Sequence, residues 1–131
     1  MTGKRSLQSL RDLMRATERL GDALAVPADA PLAIDGTIQR FEFVFELAWK
    51  TFRLLLAEEG HDAPFARPAI AGAYQTGWIN DENLWLKLLQ ARNATSHTDD
   101  DALADRVYAT IKSVYPSLRA TVSDLSARFG P

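Results

Sequence analysis

The sequence predicts an all-α fold, an up-and-down antiparallel bundle of about five helices. Three observations carry that expectation. Apolar residues recur at spacings of three and four through most of the chain. No stretch combines sustained period-two alternation with β-branched residues and hairpin turn signals, so nothing reads as a strand. The 131 residues, 47% hydrophobic and 24% charged, suit one domain over residues 1–131 that buries a core without disulfides or metal.

The first helix is expected from about Ser6 to Ala25, where Leu7, Leu10, Leu13, Met14, Leu20 and Leu24 form one apolar face with charges between them. Pro27 and Pro31 then bracket a short linker, because proline cannot donate to a continuing helix and biases the residue before it toward extended backbone. From Asp35 to Gly60 no breaker of a long helix is met after its first turn. Phe41, Phe43, Val44, Phe45, Leu47, Ala48, Trp49 and Phe52 cover most of its circumference, while Asp35, Gln39, Glu42, Glu46, Lys50 and Arg53 form a narrow polar stripe. So wide an apolar arc predicts burial on two sides, one against the domain core and one against a partner chain, and hence dimerisation through helices.

After a linker holding Gly60, His61 and Pro64, Pro68 suits the first turn of a short third helix and Gly77 its left-handed C-terminal cap. Asn80 or Asp81 can cap a fourth helix with Leu84, Trp85, Leu88 and Leu89 on its apolar face, running on toward His97. Asp99, Asp100 and Asp101 place negative charge at the start of a fifth, built on Leu103, Val107, Ile111, Val114, Leu118, Val122, Leu125 and Phe129. Pro116 is expected to kink or split it.

Composition excludes several functions. There is no cysteine, which removes disulfide and thiolate chemistry and fits a cytoplasmic setting. The basic start Thr2-Gly3-Lys4-Arg5 is not followed by an apolar stretch of signal-peptide length, and no window reaches the roughly 20 apolar residues of a membrane span. A net charge of -2 argues against holding DNA or RNA by bulk electrostatics, so any RNA contact is expected to be local.

The candidate chemistry lies in Arg92-Asn93-Ala94-Thr95-Ser96-His97. On a continuous helix Asn93 and His97 share a face, whereas Arg92 and His97 stand roughly 140° apart. They converge only through the long arginine, a fraying helix end or a second subunit. The residue types suit phosphodiester cleavage: an imidazole passes protons near neutral pH, and a guanidinium holds a phosphate through two parallel bonds. In RNA the neighbouring 2′-hydroxyl is the nucleophile, so neither metal nor cofactor is expected. Alternatively, Arg92 and His97 only meet exposed carbonyls or Asp99 to Asp101 at a helix end.

Other readings are weaker. Ser96, His97 and Asp99 carry the residue types of a hydrolase triad but are too close in sequence to reach relay geometry. A cation held by His97 with Asp99 to Asp101 competes with the simpler role of those acids as a helix cap. His61 reads as a solvated linker residue. The polar stripe reads as a solvated face with a Glu46 and Lys50 pair, or as one wall of a shared groove. Trp49, Trp78 and Trp85 read as core or interface anchors.

Two segments together carry a resemblance. Asp35-Gly36-Thr37-Ile38-Gln39-Arg40-Phe41-Glu42-Phe43 with Phe45-Glu46-Leu47-Ala48-Trp49-Lys50, followed by Arg92-Asn93-Ala94-Thr95-Ser96-His97-Thr98, resemble the nucleotidyltransferase substrate-binding protein family of the helical HEPN superfamily. The resemblance spans roughly residues 7–125. It implies a homodimer with its R-N-x-x-x-H motifs at a cleft, a partner that is a small nucleotidyltransferase, and a metal-independent ribonuclease toxin restrained by that partner. The alternative it implies is a non-catalytic subunit that presents substrate to the nucleotidyltransferase. Family site residues carry over to Arg92, Asn93 and His97. Members silenced by nucleotide transfer carry a tyrosine two places after the motif histidine, where this chain has Asp99, and Tyr108 lies far along the next helix.

Overall fold

The computed structural model describes residues 2–97 and 99–130, with His97 described by its backbone alone. Thr98, part of the second motif segment, lies outside the described residues. Among those described are five α-helices and one 3-10 turn, without strands: α1 (Lys4–Ala25), α2 (Ala33–Glu58), α3 (Ala66–Gln75), α4 (Glu82–Ala94), the turn Thr95–His97, and α5 (Asp101–Phe129). All five expected helices form.

Local chemistry sets three of the boundaries. Gly77 takes φ 85° just past α3, the left-handed conformation that a residue without Cβ adopts at no steric cost. Asp81 caps α4 by accepting from the Leu84 N–H at 3.0 Å, and Asp100 caps α5 by accepting from Ala102 at 2.9 Å and Leu103 at 3.3 Å. Leu32, which precedes α2, has φ 66° and is exposed. α5 runs through Pro116 as one helix, against the expected split. Proline removes the bond to the carbonyl of Lys112, but both residues are exposed, so that carbonyl faces water rather than a dry interior.

Side-chain contacts give the topology. Ser6 Oγ donates to Glu58 Oε2 at 2.5 Å, Ser9 and Thr51 share a hydroxyl hydrogen bond of 2.6 Å, and Arg40 approaches Arg15 and Arg19, so α1 and α2 run antiparallel. Phe52 meets Trp85 while Glu46 meets Arg92, which sets α4 antiparallel to α2. Trp78 stacks edge-on against Phe129 at 5.2 Å, and Tyr115 reaches Thr17. α1, α2, α4 and α5 thus form an up-and-down ring of four helices, with α3 packed on α2 and α4.

α2 touches each of the other four helices. Its wide apolar arc is therefore consumed inside one chain: Phe41, Val44, Phe45, Ala48 and Phe52 are buried, while Leu47 and Trp49 are half-buried. Phe43 alone of that set is exposed, at 52%. The arc does not by itself require a partner chain. No helix among the described residues is long and apolar enough to cross a membrane.

Candidate functional site

α4 is short, and one aromatic contact fixes its register on α2. Trp85, 1% exposed, packs edge-on against Phe52 with ring centroids 5.1 Å apart. Seven residues forward on α4 and six back on α2, Arg92 and Glu46 face each other. Arg92 Nη2 donates to Glu46 Oε1 in a charge-assisted hydrogen bond, and Arg92 Nη1 lies 3.4 Å from Asn93 Oδ1. Glu46 Oε2 accepts from Trp49 Nε1 at 3.2 Å and stands 3.7 Å from Lys50 Nζ.

One carboxylate therefore holds two cations and an indole N–H, and the cluster keeps a residual positive charge. Arg92 is 40% exposed and Glu46 28%, so the guanidinium remains open to solvent. This arrangement corrects the alternative in which Arg92 served only nearby carbonyls or the acids that follow it, because its partner lies on α2. The i,i+4 pair of Glu46 and Lys50 is present as expected.

Beyond Ala94 the backbone tightens. Thr95 Oγ1 donates to the Arg92 carbonyl at 2.6 Å and Ser96 Oγ to the Asn93 carbonyl at 3.2 Å, so two hydroxyls reach back to carbonyls at the helix end. The 3-10 turn over Thr95–His97 advances about 120° per residue instead of 100°, which carries the His97 backbone further from the side of Arg92, to about 180°. The continuous α-helix assumed for Asn93 and His97 stops at Ala94, so the ideal four-residue offset does not apply to their backbones. The structure brings Arg92 and Asn93 together; the His97 side chain lies outside the described residues.

The minor readings resolve locally. Ser96 is engaged with Asn93, and Asp100 is committed to its cap. His61 is exposed. Tyr108 is 7% exposed on α5, which removes it as a ready acceptor of a transferred group, whereas Asp99 is exposed in the turn before the cap. Trp78 and Trp85 are core residues, but Trp49 also serves the site through its indole N–H. Glu46 was the residue that sequence reasoning missed in this role. Its spacing from Trp49 and Lys50 was visible, but the partner 46 positions away was not.

An all-helical bundle with an arginine held between its second and fourth helices defines the class. Residues 4–127 match the family described as nucleotidyltransferase substrate binding protein like, and the chain belongs to that family. It is similar to a Haemophilus influenzae protein named Probable ribonuclease HepT, with 36% identity over 83 residues that take in 60% of this chain and 57% of that protein's length. It is also similar in structure to a solved protein from Thermus thermophilus, with a TM-score of 0.77 and 25% identity over 91% of this chain and 99% of that one.

Proposed function

We propose that this chain is the homodimeric partner of a small nucleotidyltransferase and, in a toxin-antitoxin pair with it, a metal-independent endoribonuclease whose site is Arg92, Asn93 and His97. The observation that carries this reading is the Glu46 and Arg92 contact. It joins the two sequence segments that carry the family resemblance at one surface point, where a solvent-open guanidinium stands beside a second cation.

The reaction needs no external nucleophile. The RNA 2′-hydroxyl loses its proton and its oxygen bonds to phosphorus, the bond to the 5′-oxygen breaks, and that oxygen takes up a proton, leaving a 2′,3′-cyclic phosphate and a 5′-hydroxyl. His97 handles a proton, Arg92 offsets the charge that builds on the phosphoryl oxygens, and Asn93 orients the guanidinium. The Arg92 and His97 backbones are separated by a 3-10 turn at the helix end, which favours a homodimer that brings two motifs together at one cleft.

A second reading has one observation in its favour. Glu46 occupies the guanidinium that a phosphate needs, which suits a non-catalytic subunit that presents substrate to the nucleotidyltransferase. The discriminating experiment is RNA cleavage by purified, metal-chelated protein beside His97→Ala prepared identically. Cleavage that disappears in the variant supports the ribonuclease; a confirmed dimer that cuts none of several RNAs leaves the accessory subunit.

A further inference from the structure

We propose that the groove between α1 and α2, lined by Asp12, Arg15, Arg19, Arg40, Phe43 and Leu47, holds a single-stranded RNA segment and leads it to Arg92. The proposal rests on the ribonuclease reading and extends it to a surface outside the motif.

Three guanidiniums meet one carboxylate there, in a chain whose net charge is -2. Asp12 pairs with Arg15 at 3.2 Å and also accepts from Gln8 Nε2 at 3.0 Å; among the described residues Arg19 and Arg40 have no ion-pair partner. Like charges gathered without counter-ions raise the local potential and are relieved by an anion. The cations are all arginines, whose planar fork matches phosphate oxygens through paired hydrogen bonds. A confined cationic groove of this kind is the form of RNA contact open to a chain whose overall charge is negative.

An aromatic ring stands among the arginines. Phe41, Phe45 and Phe52 of the same helix are buried, yet Phe43 is 52% exposed and faces the groove. Backbone phosphates on arginine with a base on an exposed ring is the arrangement by which proteins hold single strands. The cavity, about 320 Å³ and open along one side, has unpaired bases rather than a duplex as its natural occupant. Arg40, Phe43 and Leu47 follow one face of α2, and Glu46, which holds Arg92, lies one turn beyond Phe43 on the adjoining face, so the groove borders the face that carries the site. A second copy is a poorer occupant, since a two-fold contact centred on this groove sets arginines against their own images.

The test uses the full chain with His97→Ala, so that RNA is bound and not cut, and follows the anisotropy of a fluorescent oligouridine of about a dozen nucleotides across a salt series. Arg19→Glu with Arg40→Glu is expected to weaken binding by about tenfold or more and to lower the salt slope by about two. Phe43→Ala is expected to weaken it by roughly tenfold with the slope unchanged. Arg5→Glu with Arg67→Glu makes the same charge change elsewhere on the surface and should leave binding near that of the parent, while thermal melts confirm that all variants fold. Parent-like binding by both groove variants, or equal loss in the distal pair, overturns the groove and leaves the ribonuclease reading standing. A parent that binds no RNA overturns both. Groove variants that keep RNA but lose the nucleotidyltransferase reassign the surface to that partner and overturn the proposal.

Discussion

The carboxylate of Glu46 holds the guanidinium of Arg92 across 46 residues of sequence, from the middle of α2 to the last turn of α4. Both side chains are partly exposed, so the pair contributes little to folding, about 1 kcal/mol or less. Its effect falls on ligands. Glu46→Gln is expected to leave the melting temperature nearly unchanged and to tighten RNA binding, because phosphate no longer competes with a carboxylate for Arg92. Weaker binding in the variant, by the same anisotropy measurement, would mean that Glu46 aims the arginine rather than masks it.

Gly21 lies inside α1, where alanine ordinarily stabilises a helix by about 1 kcal/mol. Here a Cβ would stand 2.3 Å from the Tyr115 hydroxyl, which donates to the Thr17 carbonyl at 3.0 Å. Gly21→Ala should therefore destabilise, by about 1 kcal/mol net, because displacing the ring and leaving its hydroxyl without a partner costs about 2 kcal/mol and outweighs the gain in helix propensity. In a Tyr115→Phe background the same change should become nearly neutral. A double-mutant cycle by urea denaturation reads the coupling; additive effects would refute it.

Burial holds the Tyr115 phenol above its ordinary range, with Asp22 and Glu18 pushing the same way and Arg119 opposing them. The folded state thus favours the neutral phenol. Its contribution is fully present below the unfolded value of about 10 and is lost as pH rises through the higher folded value. The stability difference between the native chain and Tyr115→Phe should be constant through neutral pH and shrink only above about pH 10, measured by denaturation at several pH values.

Pro116 sits within a continuous helix on an exposed face. Alanine there restores the N–H that the Lys112 carbonyl lacks and loses no buried packing. Pro116→Ala is expected to stabilise by on the order of 1–3 kcal/mol. A fall in the melting temperature would show that the proline sets a bend on which packing depends.

Features that depend on neighbours in sequence were legible in the residues alone. Asp81 and Gly77 announced a helix start and a helix end, and the acids from Asp99 to Asp101 held the cap at Asp100. What depends on the tertiary environment was not. The consequence of Pro116 turns on which face meets water. The aromatic arc of α2 looked too wide for one chain because nothing in the sequence says that α2 is the helix every other one packs against. Arg92 stood out as a candidate in the sequence, but its partner Glu46 became visible only once Phe52 and Trp85 had set the register between two helices. The spacing of Asn93 and His97 assumed a continuous helix, and that helix ends at Ala94.

The central position of α2 bears on how the molecule opens. In many proteins individual segments detach while the remainder stays native, and the backbone amides of those segments exchange with solvent early. A helix that packs against every other helix cannot detach without uncovering each of them. Amides in the middle of α2, around Phe45 and Ala48, should therefore exchange only through whole-molecule unfolding, while those of the turn after Ala94 exchange locally. The arginine of the site hangs between these regimes, anchored on one side to a segment expected to exchange slowly and followed within a few residues by one expected to open locally.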